Sequence, residues 1–323
     1  MVLGLILASG DMAPVALAVE QEPLLSTWND GASRKAIVDY VKKVTDRATQ
    51  SFIPPEDRIA VFDNDGTLWT EKPLYGQLLF AFDRVKKLAP KHPDWKVKQP
   101  FAAVLSGDRQ RLAKMSEAET LQLVAATHSG MTEKDFEQEV SDWVRTAKLK
   151  TYSPMVALLG YLRENGFKTF IVTGGGSEFV RGFSVRAYGI PPEQVVGTNA
   201  VMKFQIRSGK PDLIRQAKID PPITDKAGKP VGIQRQIGKV PVIAVGNSDG
   251  DLQMLQYTEA SSHPTLKILV HHDDGKRESA YDQGAERILK EARSHGWVIV
   301  SMIKDFKTIF GAPENQLGGH AGE

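Results

Sequence analysis

Two aspartates separated by one residue close the apolar run in IAVFDNDGTLW, Ile59 to Trp69. Asp63 and Asp65 in a loop after a buried strand repel each other, so the pair calls for a cation or for chemistry that uses the charge. A carboxylate at a strand end can attack phosphorus and form an acyl phosphate, splitting one displacement into two. Asp65 could protonate the leaving oxygen and later deprotonate the attacking water. A hard divalent ion such as Mg2+, held by few carboxylates plus waters and phosphate oxygens, suits such a pair. Gly66 frees the turn, and Thr67 can hydrogen-bond within it. The same letters also spell an Asx-turn with a helix cap, so the case rests on partners elsewhere in the chain.

Three such partners follow apolar runs. TGGGS comes after FIV and places Thr173 before Gly174, Gly175 and Gly176. A hydroxyl with backbone N–H groups at a helix start is a ready phosphate site, although a glycine turn capped by Ser177 reads equally well in isolation. GNSDGD comes after VIAV and brings the oxygen donors Asn247, Asp249 and Asp251. HHDD, His271 to Asp274, comes after ILV; adjacent residues on an extended segment point opposite ways, which favours a structural or rim role over joint metal binding. Between these, AGKPVGIQRQIG offers Lys226 and Lys229 as an ammonium to balance Asp63 and the phosphoryl oxygens. Lys229, abutting a helix, is the favoured choice.

Strand–helix alternation has to bring these stretches together. IAVF, KTFIVT, VPVIAVG and LKILVHH read as buried strands separated by helical text, and QVVGTNAVMKFQI reads as a strand pair. Helical spacing also precedes the first strand, with Ile37, Val41, Val44 and Ala48 at steps of four, three and four. The expected class is therefore α/β, a Rossmann-like three-layer core with a mostly parallel sheet, and ligands outside the carboxyl ends of its strands. From Glu71 to about Arg163 the text is helical and too long for one crossover, with candidate helices at Leu74–Lys87, Gln110–Thr127 and Thr132–Lys148. An inserted helical cap over residues 71–163 follows, with the core formed by 31–70 and 164–323. The text from Lys276 to Gly296 reads as one long charged helix. Glu71, Lys72 and Arg84 lie close enough to the aspartate loop to be specificity candidates.

The whole-chain composition narrows the classes. Lys+Arg 41 against Asp+Glu 39 in 323 residues gives no nucleic-acid or anionic-membrane footprint. The absence of cysteine excludes disulfides, thiolate zinc sites and a cysteine nucleophile. Residues 1–30 form a leader or tail: MVLGLILA is apolar and VALAVE offers Ala16 and Ala18 before a cut at Val19, but a basic start is lacking and Asp11 interrupts the run. A signal would place the protein in the periplasm or outside the cell; otherwise it is cytoplasmic. No other stretch is apolar enough to span a bilayer. Oligomeric state is not legible.

In this order, the stretches from about Ile59 to Val270 resemble the haloacid dehalogenase-like superfamily, most closely its phosphoserine-phosphatase-like members. DNDGT looks like the family's DxDGT, IVTGGG like its strand ending in Thr or Ser, and VGNSDGDLQML like GDxxxD. The resemblance implies Asp63 as nucleophile and Asp65 as general acid/base, its backbone carbonyl also facing the metal. It implies Thr173 and Lys229 on the phosphoryl group and Mg2+ held by Asp63, Asp65, Asn247 and Asp251. Thr67, Gly174, Gly175 and Glu71 are the candidate substrate contacts. Asn247 departs from the pattern, standing where the family carries an aspartate; Asp249 is the alternative ligand. The implied activity is Mg2+-dependent hydrolysis of a small phosphate monoester through a phosphoaspartyl intermediate. Transfer to another acceptor, as in a phosphomutase, and a catalytically weak phospholigand-binding protein are the alternatives.

Overall fold

The computed structural model describes residues 25–147 and 149–311; most of the segment 1–30 expected as leader or tail, Lys148 and residues 312–323 lie outside them. Seven strands are formed: β1 Ile59–Phe62, β2 Lys168–Gly176, β3 Val195–Arg207, β4 Lys210–Asp220, β5 Ile243–Gly246, β6 Leu266–His271 and β7 Val298–Ser301. They make one sheet in the order β4-β3-β2-β1-β5-β6-β7. All neighbours are parallel except the β3–β4 hairpin.

β1 shows why the sheet must be covered on both faces. Its four residues are all buried and alternate between two cores: Ala60 and Phe62 join one, Ile59 and Val61 the other. Helices Ala32–Thr45, Ser153–Glu164 and Ser177–Tyr188 close the first face, through side chains such as Val41, Leu158 and Phe183. Helices Gly228–Gln236, Leu252–Tyr257 and Glu286–Ser294 close the second, through Ile233, Leu255 and Ile288. This is the expected three-layer α/β core.

The insert is helical, with its own small core of Phe82, Val85, Trp95, Phe101, Val104 and Leu123. Its boundary differs from 71–163. The Ser153–Glu164 helix packs on β2 and belongs to the sheet layer, because Leu158, Leu159 and Leu162 are buried in the main core. On the other side the β3–β4 hairpin leaves the core to meet cap helices Glu117–His128 and Glu133–Thr146, so the cap is built from two parts of the chain.

Other expectations also shift. The stretch Gln110–Thr127 is two helices, because Ser116 forms a reciprocal capping box with Glu119 and starts a new one. The strand pair expected in QVVGTNAVMKFQI is a single long strand whose partner is β4. The expected 276–296 helix is formed only over Glu286–Ser294. Before it, Asp274 Oδ1 accepts the N–H groups of Lys276 and Arg277 and turns the chain into a loop. No helix among the described residues is long and apolar enough to cross a membrane.

Candidate active site

Parallel strands bring their carboxyl ends to one edge, and the polar stretches meet there. Asp63 follows β1, and its N–H bonds to the Val245 carbonyl of β5 at 2.9 Å. The loop then turns tightly: Gly66 N–H reaches Trp69 O at 2.8 Å, and Trp69 Nε1 donates to Asp65 Oδ1 at 2.8 Å. Gly66 has φ +78°, and a Cβ there would sit 2.2 Å from the Asn247 amide nitrogen. Only glycine serves at this contact between the first and last site loops.

Lys229 answers the choice between the two lysines. It is 1% exposed, and its Nζ donates to Asp63 Oδ1 at 2.6 Å, Asp251 Oδ1 at 2.6 Å and Val172 O at 2.7 Å. All three ammonium protons are thus committed. Lys226 is exposed and lies outside this cluster. Burial works against the charge on Lys229, but the Asp251 and Asp63 carboxylates outweigh it and raise its pKa. Asp63 is pushed well above the usual carboxylate range by burial and by Asp251, against the pull of Lys229. Burial pushes Asp65 up to about 6.

Thr173 is buried, and its Oγ1 accepts the Gly175 N–H at 3.1 Å, so the hydroxyl shapes the glycine loop. Gly174, Gly175 and Gly176 line the cavity beside Asp63, Asp65 and Lys229. The three glycines end β2 rather than open the next helix, which starts at Ser177. Gly176 N–H donates to Gln77 Oε1 at 2.8 Å, tying this loop to the first cap helix, Gly76–Leu88.

The fourth loop sends its three oxygen-bearing side chains to different partners. Asp251 has both oxygens engaged: Oδ1 on Lys229, Oδ2 on the N–H groups of Asn247 at 2.9 Å and Ser248 at 3.0 Å. It anchors the lysine and the loop. Asp249 is turned away, its Oδ1 accepting Ile288 N–H at 2.8 Å. Asn247 faces the aspartate loop: Thr67 Oγ1 donates to its Oδ1 at 3.0 Å, and its Nδ2 donates to Glu71 Oε1 at 3.3 Å. Thr67 is completely buried by this contact and does not line the cavity; Glu71 does.

Behind this edge stands a support of which the sequence marked only the HHDD stretch, as a structural or rim element. His272 is 2% exposed, its Nε2 lies 2.7 Å from Gly66 O and its Nδ1 3.3 Å from Glu278 Oε2. Tyr281 stacks on His272 at 4.4 Å and donates its hydroxyl to Glu71. Glu278 and Tyr281 come from the loop read as helix, so no periodicity marked them. Of the cap candidates, Arg84 pairs with Glu139 at 2.9 Å inside the cap, and Lys72 lies over the Tyr281 ring at 4.4 Å.

Residues 60–256 match the family model described as haloacid dehalogenase-like hydrolase, which is more than half of the chain. The chain belongs to the haloacid dehalogenase-like hydrolases. No curated protein matches it by sequence. Among solved structures, it is similar to a conserved protein of unknown function from Anaerococcus prevotii, with 16% identity, 84% of this chain and 94% of that chain covered, and a TM-score of 0.54. A protein of unknown function from Bordetella pertussis Tohama I gives 15% identity, 75% and 97% coverage and a TM-score of 0.49. A phosphoserine phosphohydrolase-like protein from Francisella tularensis gives 17%, 76% and 94%, and 0.42.

In this haloacid dehalogenase-like hydrolase, the ammonium of Lys229 is shared by Asp63 and Asp251, and half-buried Asp65 adds a third carboxylate to the same edge. The excess negative charge suits a divalent cation. Among the described residues no three His, Cys, Asp or Glu side chains converge as a ligand cluster. Mg2+ would not need such a cluster, since it takes one or two carboxylates and completes its shell with carbonyl, water and phosphate oxygens. Asp63, the Asp65 backbone carbonyl and Asn247, whose Oδ1 has a second lone pair, are the oxygens that would hold it.

Proposed function

We propose that this hydrolase is a Mg2+-dependent phosphatase that cleaves small phosphate monoesters through an aspartyl phosphate on Asp63. The observation that carries the reading is the Lys229 bridge between Asp63 and Asp251 beside the glycine loop. It holds the nucleophile's carboxylate and a fixed positive charge at the floor of one cavity, where a phosphoryl group's negative oxygens would lie. The cation, when bound, supplies further charge neutralisation and lowers the Asp63 pKa.

Asp63 attacks phosphorus as its carboxylate, and Lys229 turns it by holding Oδ1. Asp65, shifted up to about 6, holds a proton in mildly acidic solution and delivers it to the leaving oxygen. It then deprotonates the water that opens the aspartyl phosphate. The backbone N–H groups of Gly174 and Gly175 are the proposed phosphate donors, and the cap excludes bulk water.

Release of p-nitrophenol from p-nitrophenyl phosphate, measured with Mg2+ and again with EDTA, tests the reading. Metal-dependent release that Asp63→Asn abolishes, with an acid-stable phosphate adduct on the native chain alone, is expected. Undiminished release by Asp63→Asn would overturn it.

A further inference from the structure

From the composition of the cavity beyond the phosphate floor, we infer that the leaving group is predominantly apolar, an aryl or alkyl body without an anionic group of its own. This rests on the phosphatase reading above and extends it to the substrate's other half.

The cavity has a volume of about 600 Å³, running from Asp63 and Lys229 up between the cap and the β3–β4 hairpin. Helix Glu117–His128 presents Leu121, Val124 and Ala125 to it, positions three and four apart on one face. The helix's other apolar side chains, Leu123 and Ala126, pack into the cap core. Leu121 and Val124 are half-buried and belong to neither the cap core nor the sheet cores. Part of their apolar surface therefore stays open to the cavity. Strand β4 adds Ala217 and Ile219 to the lining, where a bulge in its pairing with β3 turns successive residues 215–219 towards the cavity. At the lip stands Tyr75, 55% exposed, an aromatic ring open to the cavity mouth.

The buried cation of this upper half is already used. Arg215 lines it, but its guanidinium pairs with buried Glu178 at 2.7 Å, donates to His128 O at 3.0 Å and lies 4.1 Å over the Phe136 ring. Among the described lining residues, that leaves Lys218, which is exposed, as the cation outside the catalytic floor. A leaving group carrying a carboxylate or second phosphate would meet no buried, unpaired cation there. A polyhydroxyl one would desolvate its hydroxyls against aliphatic side chains, which disfavours it.

The test compares esters of similar intrinsic reactivity: phenethyl phosphate, glycerol phosphate and O-phosphoserine, each assayed for phosphate release with Mg2+. The expected result is a kcat/KM for phenethyl phosphate at least about tenfold above the other two, the gain from moving two methylenes out of water. Leu121→Asp on the cap and Ile219→Asn on the hairpin should each shrink that ratio towards one, with unfolding midpoints reporting that the variants fold. Titration calorimetry with the non-hydrolysable phosphonate isosteres of phenethyl phosphate and phosphoserine separates the two hypotheses. Tighter binding of the phenethyl isostere without turnover of any ester would sink the phosphatase reading and uphold the apolar site. Equal or weaker binding, or equal or better turnover of O-phosphoserine, overturns the inference.

Discussion

His272 and Gly66 are joined by a 2.7 Å hydrogen bond from an imidazole Nε2 to a backbone carbonyl, across 206 residues of sequence. The carbonyl can only accept, so Nε2 carries its proton and Nδ1 faces the Glu278 carboxylate. The bond pins the loop that separates Asp65 from Thr67. His272→Ala should lower kcat by roughly tenfold to a hundredfold, the sensitivity of catalysis to displacements of about 1 Å. His272→Gln, which keeps a donor, should recover part of the loss. Equal kcat values for the two variants would show that the bond has no positioning role.

Lys229 should be indispensable for stability as well as for turnover. Lys229→Met leaves Asp63 and Asp251 buried without their shared cation, and breaking such a cluster costs about 3–5 kcal/mol. Denaturant titration of Lys229→Met and of Lys229→Met with Asp251→Asn checks this. The second change, by removing one stranded charge, should restore part of the stability.

The Asp65 shift predicts an alkaline limb. The carboxyl, raised to about 6 by burial, is needed protonated to expel a poor leaving group, so its contribution falls as pH rises through that value. The kcat/KM for an alkyl ester such as phenethyl phosphate should therefore decline above roughly pH 6. That for p-nitrophenyl phosphate, whose leaving group needs no proton, should decline less. Parallel profiles for both esters would remove Asp65 from the proton-donor role.

Asn247 and Glu71 make a complementary pair in which an amide donor meets a carboxylate 3.3 Å away. Restoring an acidic residue with Asn247→Asp sets two carboxylates against each other and leaves Glu71 without that donor. A loss of about 1–3 kcal/mol in stability is expected. Adding Glu71→Gln should reverse it and tighten Mg2+ dependence of activity beyond that of the single variant. A single variant as stable as the native chain would show that Glu71 does not set the identity of residue 247.

Much of the core was legible along the chain because each of its signals is local. IAVF ends at Asp63, VIAV ends in the GNSDGD loop, and a buried parallel strand needs only a short apolar run to be seen. The parallel order of such strands brings their ends to one edge whatever the loop contents, so Asp63, the glycine loop and Asn247 could be placed together in advance.

What needed the folded chain were contacts that carry no period. The choice of Lys229 over Lys226 depends on three acceptors drawn from β1, β2 and the last site loop. The turn of Asp251 to that lysine, and of Asp249 to a neighbouring helix, cannot be read from GNSDGD, where all the oxygens look alike. The loop with Glu278 and Tyr281 has helical letters but follows Asp274, whose side chain captures the next N–H groups and diverts the chain over the site. Local spacing determined which residue types stand at the sheet edge. Long-range packing decided which of them touch, because a buried charge takes its partners from whatever elements close around it.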